Sequence, residues 1–238
     1  MTAKLPPEPK VQGQKPITVQ AGDVLHPGPP GTGSQARLRR EAARRRAALG
    51  EAERMRAAER LAHRLATFLS THPVPTLASC FPVRNEIDPN GFRLLMGRHA
   101  PALYLPRLAG EALEFVRWDT TTPMGPNAFG IPEPLEGPVL PASACSCILL
   151  PLTAFDPCGR RLGSGGGYYD RTLAFRLNPA ALRRACPLLI GVAHECQRTD
   201  RISPNPWDVP LDAIATDTCW YHGGKTYPEL TWHECQAP

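Results

Sequence analysis

Between residues 51 and 69 the apolar positions fall three or four apart. Met55, Ala58, Leu61, Ala62, Leu65, Phe68 and Leu69 predict an amphipathic helix from about Glu51 to Leu69, one face on a core. The stretch before it, "QARLRREAARRRAAL", has no such stripe but consists of strong helix formers. Ser34 is a suitable N-cap and Gly50 a stop, so a first helix is expected there too.

Further along, the pattern becomes strand-like. "TLASCF" (76–81), "ALYLP" (102–106) and "LEFVRW" (113–118) read as strands, with a short helix in "PNGFRLLMGRH" (89–99). Residues 119–146 are a Pro- and Gly-rich connection. "CILLPL" (147–152) and "LLIGVAH" (188–194) are continuously apolar, the mark of strands buried on both faces, and "AIAT" (213–216) is a further short strand. A helix of about Tyr168 to Leu177 falls between them. Strands alternating with helices predict an α/β fold of three layers, α/β/α, around a largely parallel sheet. One domain over 34–238 is expected, preceded by a Pro- and Gly-rich tail (1–33) that reads as disordered or loosely docked.

Composition changes this picture in two places. The net charge of +5 is concentrated in residues 37–64, which hold ten Arg and four Glu; the basic character belongs to one segment. No apolar run is long enough for a membrane span, and the first residues lack the apolar core of a secretory signal. A cytoplasmic protein is expected, a monomer without membrane or nucleic-acid partners. The eight cysteines are too sparse for a disulfide-stapled fold. "HECQ" occurs at 194–197 and again at 233–236, but reduced thiols explain it better than a metal site.

The candidate chemistry lies in "RRLGSGGGYYDRTL" (160–173). A buried strand leads into it and a helix follows. Glycines let a backbone approach a phosphate closely, and a helix N-terminus offers free N–H groups. Arg160, Arg161 and Arg171 add positive charge, and Asp170 is a hard oxygen ligand suited to Mg²⁺. The run matches neither the P-loop nor the dinucleotide fingerprint, because Tyr168 takes the last glycine place.

These residues resemble the signature of the 5-formyltetrahydrofolate cyclo-ligase (methenyltetrahydrofolate synthetase) family, roughly R-L-G-x-G-x-G-[YF]-Y-D-R. "LRREAARRRAAL", "PVRNEIDP", "LYLPRLAGEALEFVRW", "FGIPEP", "GVAHECQ" and "WDVPLDAIAT" are similar to further family segments in order, over about residues 35–220. The resemblance implies an ATP- and Mg²⁺-dependent enzyme that turns 5-formyltetrahydrofolate into 5,10-methenyltetrahydrofolate. It implies Asp170 and Asp208 as metal ligands. Arg161, Leu162, Gly163, Ser164, Gly165, Gly166, Gly167, Tyr168 and Tyr169 would surround ATP, with Gln35 and Arg39 reaching it from the first helix. Glu86 would bind the pterin, with Phe81, Ser164, Gly165, Gly166, Gly167 and Tyr168 around the folate. Arg161, Tyr169 and Asp170 would carry the catalysis.

Plainer readings stand beside these. Asp208 after Trp207 could cap a turn, and Phe81 and Tyr168 could be core. The family often has a Lys where this chain has Gln35, four residues before Arg39, which makes ATP affinity the point of departure. Two other functions stay open: a relative that binds nucleotide or folate without turnover, and a nucleic-acid-binding protein using the Arg-rich helix.

Overall fold

A computed structural model describes residues 33–178 and 186–230. The tail expected over 1–33 lies outside the described residues except for Gly33, which opens the first helix; the second "HECQ" also lies outside them. In chain order the elements are α1 (Gly33–Ala47), α2 (Glu51–Thr71), β1 (Thr76–Ala78), α3 (Phe92–Met96), β2 (Ala102–Ala109), β3 (Ala112–Arg117), β4 (Met124–Pro126), β5 (Pro132–Pro134), β6 (Val139–Leu140), β7 (Cys147–Pro151), β8 (Ala154–Phe155), β9 (Arg161–Leu162), α4 (Tyr168–Thr172), β10 (Leu188–Ala193), β11 (Ala213–Thr216), β12 (Trp220–His222) and β13 (Lys225–Tyr227).

Nine strands form one sheet in the order β13-β12-β11-β10-β7-β1-β2-β3-β6. The five central strands, β11-β10-β7-β1-β2, run parallel; the flanking pairs are antiparallel. β7 and β10 are central and covered on both faces, which explains their unbroken apolar sequence. Leu77, Leu149, Ile190 and Ala215 face α2, together with Leu61, Leu65, Phe68 and Leu69. Phe68 meets Trp220 with ring centroids 5.1 Å apart. Each such large side chain contributes roughly 1.5–3 kcal/mol on burial.

The other face is covered more thinly. Ile148, Leu150, Leu189 and Ile214 cluster with Phe155 of β8, Tyr221 of β12, and Leu173 and Leu211 from connecting segments. The helix expected over Tyr168 to Leu177 is α-helical only to Thr172, followed by a 3₁₀ turn at Ala174–Leu177. The α/β architecture is therefore as expected, with one of its helical layers reduced to a short helix and packed turns. Met55 is a correction: it is 66% exposed, because the buried stripe of α2 runs through Ala57 instead.

The parallel strands end at one edge, where loops 79–91, 152–167, 194–198 and 217–218 emerge. Ligands of such sheets gather at this edge. α1 lies against it. Ala42 packs on Ala154, Leu162 and Ile202, and the arginines do the rest of the docking. Arg45 donates to the carbonyls of Cys196 at 2.6 Å and Arg198 at 2.9 Å. The missing apolar stripe of α1 thus has a cause: this helix docks through charge on loop carbonyls.

Candidate active site

The loop that follows β7 doubles back as the β8–β9 hairpin and then runs through the glycines to α4. Gly165 (φ +105°) and Gly167 (φ +68°) adopt left-handed backbone that other residues rarely take. A methyl group on Gly163 would meet nothing within 4 Å, so the backbone there borders open space. Arg39 of α1 donates through Nε to the Gly163 carbonyl at 3.0 Å. Its two terminal amino groups have no hydrogen-bond partner among the described residues. α4 is only five residues long, so the helix-dipole contribution expected from the sequence is small; loop N–H groups and Arg39 are what an anion would meet.

Arg161 and Asp170 act first as a scaffold. Arg161, 5% exposed, pairs with the Asp170 carboxylate at 2.7 Å and donates to the Val209 carbonyl. Asp170 Oδ1 also accepts from the Val209 N–H at 3.2 Å. Together they bind the glycine loop to the segment carrying Asp208. Arg171 folds back over Tyr168, with its guanidinium carbon 5.0 Å from the ring centroid, and donates to the carbonyls of Gly166 and Glu111. Arg160 turns to the Ile202 carbonyl and Asp156 through one of its terminal amino groups, so of the cations expected at this loop Arg39 is the one with both terminal amino groups unused among the described residues.

Asp208 accepts from the N–H of Asn205 at 2.7 Å, so the turn-capping reading is correct as far as it goes. Asp170 Oδ2 has no hydrogen bond among the described residues. Two carboxylates on joined segments, one 27% exposed, suit Mg²⁺, which usually keeps several waters and takes only one or two carboxylates. No cluster of three or more His, Cys, Asp or Glu able to hold a metal occurs among the described residues. A cleft of about 180 Å³ opens between Arg161, Asn205, Asp208 and Pro210.

Gln35 of α1 is held at the Ser203 segment. It is 2% exposed and donates to the Ser203 carbonyl at 2.9 Å. Its Oε1 is buried without a hydrogen-bond partner among the described residues. A phosphate brings only acceptors and would leave that oxygen unsatisfied; a hydroxyl or a water would satisfy it.

The folate candidates gather on the β1 side. Glu86 closes a turn after β1, where its Oε2 accepts from the Val83 N–H at 3.1 Å, and Arg46 of α1 lies 3.6 Å from its other oxygen. Burial raises its carboxyl above the usual range, while Arg46 opposes that rise. The Tyr169 hydroxyl is buried without a hydrogen-bond partner among the described residues. Burial, with Cys80 and Glu86 nearby, pushes this phenol well up, so it stays a donor. Phe81 is half-buried, edge-on to Trp118 with centroids 5.7 Å apart; Arg93 stacks over Trp118 at 4.4 Å. Tyr168 meets Phe129, of the "FGIPEP" segment, in a second edge-on pair at 5.6 Å. Trp118, Arg93 and Arg46 were not among the expected residues. Trp118 gave one signal, a large aromatic at the end of a strand.

A larger recess, about 460 Å³, lies behind the C-terminal end of α1, between Leu49, Ala57, His194 and Asp217. It contains none of the expected site residues. Its charged walls mostly pair with each other, Arg60 with Asp217 at 2.9 Å and Arg198 with Glu195 at 3.3 Å.

The sequence pattern of the 5-formyltetrahydrofolate cyclo-ligase family matches residues 32–217. The chain belongs to this family. It is 31% identical over 182 residues to the 5-formyltetrahydrofolate cyclo-ligase of Escherichia coli (strain K12), a match covering 72% of this chain and 94% of that one. The Haemophilus influenzae cyclo-ligase is 31% identical over 185 residues, covering 76% and 96%. Two solved 5,10-methenyltetrahydrofolate synthetases share the fold. The one from Aquifex aeolicus superposes with a TM-score of 0.63 at 28% identity, covering 84% of this chain and 97% of that one. The one from Mycoplasma pneumoniae gives 0.61 at 27%, covering 77% and 98%. The cyclo-ligase pattern spans both α1 and the glycine loop, the two elements that Arg39 joins.

Proposed function

We propose that the protein converts 5-formyltetrahydrofolate into 5,10-methenyltetrahydrofolate, consuming ATP with Mg²⁺. The Arg39–Gly163 contact carries this reading, because it puts an arginine with two unused donors beside a glycine backbone bordering open space. Membership of the cyclo-ligase family supplies the reaction class.

The formyl oxygen is a poor leaving group until it takes the γ-phosphoryl of ATP. N10 can then close the ring, and phosphate departs. Such transfer depends on positioning and charge neutralisation more than on covalent help from the protein. Arg39 and the backbone N–H groups of Gly163 to Gly167 receive the phosphates. Arg161 keeps Asp170 and the Asp208 segment in register. Mg²⁺, held by Asp170 Oδ2 and Asp208, would neutralise phosphate charge. Glu86 accepts N–H bonds from the pterin, where a carboxylate matches neighbouring donors. Tyr169, a protonated and unpartnered donor, serves an oxygen of the substrate. Tyr168 and Phe81 line the folate.

One chain supplies every one of these residues, so a monomer suffices. The described cysteines are free thiols, and no described helix is long and apolar enough to cross a membrane; both agree with a cytoplasmic enzyme. The test is the Arg39→Ala variant. The apparent KM for ATP should rise about tenfold or more, as for a lost charge-assisted phosphate contact, with the melting temperature nearly unchanged. An unchanged KM for ATP removes Arg39 from the phosphate site.

A further inference from the structure

Arg46 is a buried guanidinium for which neither the family motif nor helix propensity gives a reason. Its side chain is 8% exposed, and its Nη1 has no hydrogen bond among the described residues. Burial without full pairing is costly for an arginine, and its pKa is accordingly lowered by desolvation. The carboxylate it meets is Glu86, 14% exposed and 3.6 Å away.

The turn that presents Glu86 is strained. Arg84 (φ +51°) and Asn85 (φ +65°) are consecutive non-glycine residues in left-handed backbone. Asn tolerates that conformation, but for Arg84 it costs on the order of 1–2 kcal/mol, and such strain persists only where the surroundings hold it. Within the turn, Glu86 N–H donates to the Val83 carbonyl at 3.0 Å and the Glu86 carboxylate accepts from Val83 N–H. Among the described residues, Arg46 is the ion-pair partner that reaches Glu86 from outside the turn. It sits seven residues after Arg39, two helical turns along α1.

We propose that Arg46 is a positioning residue for the folate: it fixes the Glu86 carboxylate at the end of its strained turn, so that α1 serves phosphate through Arg39 and pterin through Arg46. This rests on the reading of Glu86 as the pterin-binding carboxylate. The groups facing Glu86 are Arg46 from α1, Arg84 in its own turn, Cys80 after β1 and Tyr169 from α4. Burial pushes the Cys80 thiol and the Tyr169 phenol well up, so both stay neutral. Arg46 is the largest influence holding the Glu86 carboxyl down against its own burial. Without Arg46 the carboxyl rises further, and once protonated it can no longer accept paired N–H bonds.

The test compares wild type, Arg46→Met and Arg46→Lys as full chains in steady-state kinetics across pH. Arg46→Met should raise the KM for 5-formyltetrahydrofolate about tenfold and move the acid limb of kcat/KM upward by about one pH unit. The KM for ATP should stay within about twofold, since Arg39 is untouched. Arg46→Lys, which restores the charge, should recover most of both effects. A folded Arg46→Met protein with unchanged folate KM and acid limb overturns the proposal, as does an equal rise in both KM values. If Arg46→Met does not fold, Arg46→Gln replaces it with the same expectations. A wild type without turnover defeats the proposed activity by itself; calorimetric titration of 5-formyltetrahydrofolate into wild type and Arg46→Met then decides. Weaker binding by the variant, worsening as pH falls, supports Arg46; equal binding overturns it.

Discussion

The two oxygens of Asp170 stand in different surroundings. Oδ1 is taken by Arg161 and the Val209 N–H, while Oδ2 has no partner among the described residues. Asp170→Asn keeps the shape but not the charge. Mg²⁺-dependent turnover should fall at least about a hundredfold, and urea unfolding should show a loss of roughly 1–3 kcal/mol from a buried guanidinium left without its ion. Full turnover in the variant would take Asp170 out of the metal site. At position 35 burial bears on the expectation drawn from the sequence. A phosphate-facing residue there would make Gln35→Lys lower the KM for ATP. The observed side chain is buried against Ser203, so an ammonium there loses its hydration. We expect a lower melting temperature and no gain in ATP affinity; a lower KM for ATP would return position 35 to the phosphate site. His194 gives the pH dependence of stability. Its ring is buried and its pKa depressed below 6.5, mainly by desolvation, despite Asp217 and the Asn85 backbone. The unfolded chain then binds the proton more readily than the native one. The stability due to neutral His194 is present above about pH 6.5 and is lost as pH falls through the lower native pKa. His194→Phe should flatten the decline of melting temperature over that window, and an undiminished decline would assign it to other groups.

The glycine loop is the element that receives ATP in the proposed function, and two of its glycines separate backbone strain from ligand approach. Gly167 sits at φ +68°, and a methyl group would also come within 2.7 Å of Arg171 Nη1. Gly167→Ala should cost on the order of 1–2 kcal/mol of stability and weaken ATP binding as the loop shifts. At Gly163 the space is open, so Gly163→Ala should melt like wild type yet raise the KM for ATP, because its methyl group stands where a phosphate would approach. An unchanged KM in that folded variant would mean that phosphate does not lie over Gly163. The course of the loop was legible, since four glycines stand between a buried strand and a short helix. The central strands were equally legible, because β7 and β10 are buried on both faces and read as unbroken apolar runs. What was not legible has physical causes. β8 and β9 are two-residue strands without a period. Met55 fits the helical spacing, and only the tertiary contact of α2 decides which edge of the stripe is buried. Arg46 is one of ten arginines between residues 37 and 64, and nothing local marks it as the one opposite Glu86.

At the scale of the molecule, the net positive charge of the first helices is largely structural. Arg39, Arg45 and Arg46 are committed to three loops at the carboxyl edge of the sheet, and Arg60 to Asp217. This use of arginines ties the first two helices to the loops at that edge. It also makes α1 the clasp of the molecule, so a ligand that bridges α1 and the glycine loop should stabilise the whole fold. Binding adds RT ln(1 + [L]/Kd), about 2.7 kcal/mol at a hundredfold excess over Kd. ATP with Mg²⁺ should therefore raise the melting temperature of wild type, and Arg39→Ala should show a smaller rise. An equal rise in both would place ATP elsewhere. The most direct measurement is the appearance of the methenyl-folate absorbance when the purified protein is mixed with 5-formyltetrahydrofolate, ATP and Mg²⁺. We predict product in step with ATP consumed, one for one, and none when either ATP or Mg²⁺ is withheld. A folded protein that makes no product at any ATP concentration, or makes it equally well without ATP, would contradict the account.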